Sequence, residues 1–119
     1  MAATKTLKTY IAAATTNTSG GTTTGTAQNH TTAYGGLITA KITNGGTGPT
    51  VAATVNVYTS GDNVNFKLFA SATAGTTAST SYEFPFVLPP GAMYSRVDVT
   101  GNTAQSVTCE AFIQELTTV

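Results

Sequence analysis

The sequence predicts an all-β protein: an antiparallel β-sandwich, of jelly-roll or immunoglobulin-like topology, with an extended N-terminal arm. Three observations predict it. From Tyr34 onward apolar and polar residues alternate in short runs, the period-two pattern of strands with one wet face. Gly-, Pro- and Asn-rich turns divide those runs at regular spacing. No stretch carries a convincing amphipathic-helix pattern. At 119 residues the chain suits one domain with one core.

The runs follow in order. Ile38, Ala40 and Ile42 form an apolar face while Thr39, Lys41 and Thr43 point the other way, and the turn Asn44-Gly45-Gly46-Thr47-Gly48-Pro49 ends the run. Val51, Ala53, Val55 and Val57 alternate with polar or small neighbours. Ser60-Gly61-Asp62-Asn63 then turns the chain into Val64, Phe66, Leu68 and Ala70, which reads as a hairpin. Tyr82, Phe84 and Phe86 make the next set; Pro85 between them predicts an edge strand or a bulge, since proline donates nothing to a ladder. Leu88-Pro89-Pro90-Gly91 forces an extended residue and a tight turn. Tyr94 to Thr100, with Val97 and Val99 inward, and Ser106 to Leu116, with Val107, Cys109, Ala111 and Ile113 inward, complete six or seven strands.

Residues 1–33 read differently. Thr15 to Thr32 has no aliphatic side chain larger than that of Ala27, so alone it cannot offset its ordering entropy by burial. It is expected to be ordered by neighbouring chains. Leu7, Tyr10 and Ile11 are the bulky apolar residues ahead of it, and β-branched Thr4, Thr6 and Thr9 favour an extended conformation there. The expected division is a Thr/Gly-rich arm over 1–33 and a sandwich over 34–119, with Leu7, Tyr10 and Ile11 as capsid or subunit contacts. Deletion of Met1 to Thr32 is accordingly expected to leave the sandwich folded.

Composition narrows the function. The chain holds 27 Thr and 17 Ala against five Lys plus Arg and five Asp plus Glu, with zero net charge. Nucleic acid is disfavoured as a partner, because phosphate binding needs clustered cations. No apolar run approaches a membrane span, and Lys5 and Lys8 precede only the short stretch Ile11 to Ala14, so no signal peptide and no export are expected. One cysteine and one histidine cannot build a structural zinc site.

Catalytic templates fail in turn, and no enzyme, cofactor or metal is expected. His30, the lone histidine, falls in the Thr/Gly-rich segment, where it reads as a surface-loop residue without a rigid shell. Ser, His30, Asp62 and Asp98 are all present, but no serine sits in a nucleophile elbow. Glu110 and Glu115 are separated by an odd number of positions and point to opposite faces of a regular strand, as a solvated and a strand-end charge. The Gly45 to Thr50 segment lacks the Lys-Ser/Thr pair and helix of a P-loop. Asp62, Asn63 and Asn65 read as a turn rather than a calcium loop. Cys109 reads as a buried thiol, and Arg96 with Asp98 as a pair on one outward face.

Several stretches are similar to a known group. Gly36-Leu37-Ile38-Thr39-Ala40-Lys41-Ile42-Thr43-Asn44-Gly45, Thr47-Gly48-Pro49-Thr50, Leu88-Pro89-Pro90-Gly91 and Val99 to Thr108 resemble small tailed-bacteriophage virion proteins of the capsid decoration or cement kind. The resemblance implies a β-sandwich carried in many copies on the outer capsid, often as a dimer or trimer, with the major capsid protein as partner and the virion as location. Val57 to Phe66 also resembles the Tyr-x-Ser-x-Asp-Gly-x-x-Trp hairpin of discoidin-like and other sugar-binding sandwiches, with Asn63 in place of Gly and Phe66 in place of Trp. A carbohydrate-binding or tail-fibre module is thus the alternative, although sugar rings usually stack on exposed aromatics and the chain has no tryptophan.

Overall fold

The computed structural model describes residues 3–118. Among the described residues nine strands are present: β1 (Thr4–Asn17), β2 (Thr22–Thr24), β3 (Gln28–Asn29), β4 (Gly36–Asn44), β5 (Thr54–Ser60), β6 (Lys67–Thr73), β7 (Ser81–Leu88), β8 (Tyr94–Thr100) and β9 (Val107–Thr118). They form two antiparallel sheets. The first has the order β1-β9-β4-β7 and the second β2-β8-β5-β6, with β3 also on β8. With β2 and β3 taken as one interrupted strand, the chain changes sheet at every connection except the β5–β6 hairpin. That strand order is the jelly roll's, which decides between the two expected topologies.

The core comes from the predicted inward faces. Ile38, Ala40 and Ile42 of β4 pack between Val107, Cys109, Ala111 and Ile113 of β9 on their own sheet and Val55, Val57, Val97 and Val99 of the second sheet. Phe84 and Phe86 of β7 are only half-buried, because β7 is an edge strand, as Pro85 indicates. The turn at 61–65 is closed by Asp62, whose Oδ1 accepts from the backbone N–H groups of Val64 and Asn65 and from the Ser60 hydroxyl. Those bonds hold the Asp62 carboxyl well below the usual range.

Two expected faces are corrected. The β5–β6 register slips between Val57 and Tyr58, so that Phe69 of β6 becomes an extra residue; Leu68 then pairs with outward-facing Tyr58 and is exposed rather than buried. Val64 is likewise exposed in the turn, and Val51 lies outside β5 in an isolated bridge to Thr103.

The N-terminal segment is the larger correction. It is ordered by its own chain: β1 pairs along β9 from Thr4 to Asn17, and β2 and β3 pair with β8 in the other sheet. Thr9 opposes Phe112 and Ile11 opposes Ala111, so Tyr10 is a bulge residue, and Tyr10 and Ile11 both turn into the core. A boundary at residue 33 therefore does not separate an arm from the sandwich. The burial missing between Thr15 and Thr32 is made good by backbone ladders and polar side chains. Asn17 Nδ2 donates to Asn102 Oδ1 (2.5 Å), and Thr23 Oγ1 donates to Asn17 Oδ1 (2.8 Å). Gly25 marks the interruption between β2 and β3: its N–H donates to Val97 O (3.0 Å), and a Cβ there would lie 2.2 Å from that oxygen.

Candidate functional site

Five polar side chains meet between the sheets. β3 pairs with β8 and is followed by His30, whose backbone N–H donates to Met93 O; the Asn29 side chain then accepts from Thr31 N and fixes the following turn. The imidazole is thereby directed inward and is buried, not in a surface loop. Its Nδ1 is 2.6 Å from Glu115 Oε2, and its Nε2 is 2.5 Å from Ser95 Oγ. Ser95 Oγ is also 2.5 Å from the Tyr10 hydroxyl, and Lys8 Nζ is 2.8 Å from Glu115 Oε1.

Donor counting orients the chain of bonds. Lys8 offers only protons, so the Glu115 carboxylate accepts from it and from the imidazole Nδ1–H. The Ser95 O–H then donates to Nε2, and the Tyr10 O–H donates to Ser95 Oγ. Every proton on the path has an acceptor. Burial raises the Glu115 carboxyl, but the Lys8 and His30 hydrogen bonds, with the Lys8 charge, outweigh it, and the net shift is downward. Burial pushes the Tyr10 phenol far up, which keeps it a donor.

A serine, a histidine and a carboxylate in one line of hydrogen bonds is the arrangement that activates a nucleophile. Access is what differs here. Ser95 is 0 % exposed, and Tyr10 already occupies a lone pair of its Oγ. A groove of about 430 Å³ between Thr59, Lys67, Phe69, Pro89 and Met93 has none of His30, Ser95 or Glu115 in its lining, and neither has the groove of about 460 Å³ at Gly61, Asp62, Asn65 and Lys67. A substrate carbonyl would have to part β1 from the second sheet to reach Ser95. The geometry therefore works as a clamp: it ties β1, β3, β8 and β9 together across both sheets.

Of the three expected contact residues, Tyr10 and Ile11 are buried in the chain's own core, and Leu7 alone is free, at 63 % exposure. Leu7 begins a row of cross-strand partners on the outer face of the first sheet: Leu7, Gln114, Leu37 and Val87. The next row is Thr9, Phe112, Thr39 and Pro85, and beyond it Glu110, Lys41 and Glu83 lie side by side. On the second sheet the outer face is self-satisfied. Arg96 grips Asp98 through Nε (3.0 Å) and Nη2 (3.1 Å) and lies 4.9 Å from the Tyr58 ring centroid and 4.8 Å from that of Phe66. Nearby, Thr22 bonds Thr100 and Thr54 bonds Thr73 through their hydroxyls. Cys109 is buried, as expected, and burial raises its thiol. Among the described residues no group of three or more His, Cys, Asp and Glu could hold a metal ion.

Sequence alternation could have placed Glu115, which is two positions beyond inward-facing Ile113 and so on the same face. Nothing periodic marks His30, which is buried by a single turn.

No protein-family model and no curated protein matches the sequence. Solved structures do match. A chain of the infectious bursal disease virus particle superposes with TM-score 0.62 at 16% identity over 93% of this chain and 31% of that one. The SPBc2 prophage-derived protein YomS matches with TM-score 0.51 at 17% identity over 95% of both chains. A family 16 carbohydrate-binding module matches with TM-score 0.50 at 14% identity over 87% of this chain and 74% of that one. The chain thus spans about a third of the length of the viral chain it resembles. These likenesses establish a β-sandwich fold with viral and prophage proteins among its neighbours.

Proposed function

We propose that the chain is a non-enzymatic structural protein of a tailed-phage virion, a capsid decoration or cement protein that stabilises the head by bridging neighbouring subunits of the major capsid protein. One observation carries the reading. The chain turns its reactive groups inward into a closed clamp and presents a jelly-roll exterior of threonine, alanine and a few aliphatic side chains. Such a surface is suited to permanent close packing rather than to turnover or electrostatic capture. The likeness to a viral-particle chain and to a prophage protein supports the same class.

The mechanism is mass action: a protein that binds only the assembled shell stabilises it by RT ln(1 + [L]/Kd). Co-sedimentation with expanded capsids, and the temperature at which those capsids open with and without the protein, test the reading. Co-sedimentation and a raised opening temperature are expected. Attachment is expected to change little with ionic strength, since few charges contribute. No binding to capsids, or a steep loss with salt, would overturn it.

A second reading rests on Tyr58 and Phe66, half-buried aromatics flanking Arg96 on the outer face of the second sheet. Together they could offer stacking surface and donors to a sugar, as a carbohydrate-binding or tail-fibre module would. Specific signals on a glycan array that vanish in Tyr58→Ala would favour it.

A further inference from the structure

We propose that two copies of this chain pair through the outer face of the first sheet, about a two-fold axis parallel to the strands and lying between β9 and β4. The inference rests on the reading of the chain as a packing subunit and names the surface it packs with.

The rows of that face are self-complementary under this axis. β9 of one copy lies over β4 of the second and β1 over β7, so each row meets itself reversed. Leu7, 63 % exposed, then faces the second copy's Val87, itself 73 % exposed, and Leu37 faces Gln114. In the following row Phe112 faces Thr39 and Thr9 faces Pro85. In the charged row Glu110 of each copy faces Lys41 of the other. Lys41 lies between Glu110 and Glu83 in cross-strand register, yet among the described residues none of the three forms an ion pair within its own chain. Lys41 and Glu110 are thus left for a partner.

The outer face of the second sheet also exposes Leu68, at 59 %, but its central charges, Arg96 and Asp98, already satisfy each other. The size of the contact fits as well. Four strands ~4.8 Å apart and seven residues at ~3.4 Å give a flat patch of ~450 Å² per copy. Two such patches approach the ~1,000 Å² at which a specific interface begins, so a micromolar rather than nanomolar pair is expected. Two faces of this kind pack ~10 Å apart with strands within ~30° of parallel.

Sedimentation equilibrium of the whole chain, from about 1 to about 500 µM, tests the pairing without any capsid. A monomer–dimer equilibrium is expected. Val87→Asp on the exposed edge strand is expected to raise the dimer Kd at least tenfold at an unchanged melting temperature. Lys41→Glu is expected to weaken pairing, and Lys41→Glu combined with Glu110→Lys to restore it. A monomer at every concentration overturns the proposal, as does a dimer indifferent to Val87→Asp in a protein that still folds. Pairing without capsid attachment would leave this inference standing and remove the decoration role; the reverse result would do the opposite.

Discussion

His30 Nδ1 and Glu115 Oε2 lie 2.6 Å apart in the interior, and the residues that carry them are 85 positions apart in sequence. The first arrives just after a two-residue strand and the second near the end of a twelve-residue one. Their meeting fixes the N-terminal third of the chain onto both sheets.

Removal of one partner should therefore be costly. Glu115→Ala leaves the buried imidazole N–H without an acceptor and Lys8 Nζ with Asn29 O alone, and a loss of about 3 kcal/mol is expected, read from urea unfolding. Ser95→Ala, which strips a neutral hydroxyl from the same path, should cost about 1–3 kcal/mol. Equal and negligible losses would show that the clamp does not hold the fold.

Acid should loosen the protein through the same carboxylate. Glu115 binds its proton less readily folded than unfolded, so its contribution to stability is fully present above the ordinary Glu pKa of ~4.3 and is lost as pH falls through the lower folded value. Melting temperature is expected to fall below about pH 4 in the native protein and to fall less steeply in Glu115→Gln. Parallel curves for the two proteins would assign the acid sensitivity elsewhere.

Deletion of residues 1–32 is expected to unfold the chain, contrary to the behaviour of a detachable arm. It removes Tyr10 and Ile11 from the core, His30 from the clamp and the β1 partner of β9. Circular dichroism of the truncated protein should lack its β signal; a cooperative melt would show the remaining strands to be self-sufficient.

Cys109 should react with an aromatic disulfide reagent far more slowly in the native protein than in urea. It is buried, and burial disfavours the thiolate that performs the attack. Equal rates would place it at the surface.

Much of the fold was legible in the sequence. Alternation placed the inward faces of β4, β8 and β9, and Pro85 marked an edge. What escaped was non-periodic. The Tyr10 bulge and the Phe69 slip each shift the side-chain phase by one residue, which alternation cannot register. The threonine-rich segment looked too polar to be ordered because its partners, Asn102, Asp98 and Ser95, lie far along the chain. For the same reason the His30 clamp was invisible: a buried polar network is defined by tertiary contact, and its residues taken singly resemble a surface.

Thr4 and Thr118 stand opposite each other on neighbouring strands. The two ends of the described chain consequently emerge side by side, a few ångströms apart. A short linker could join them and new ends be opened in the 61–65 turn, giving a circularly permuted protein with the same sheets. Traction applied between those ends would open the β1–β9 ladder like a zipper, rung after rung, so resistance to pulling would be low along this axis however firmly the interior is held.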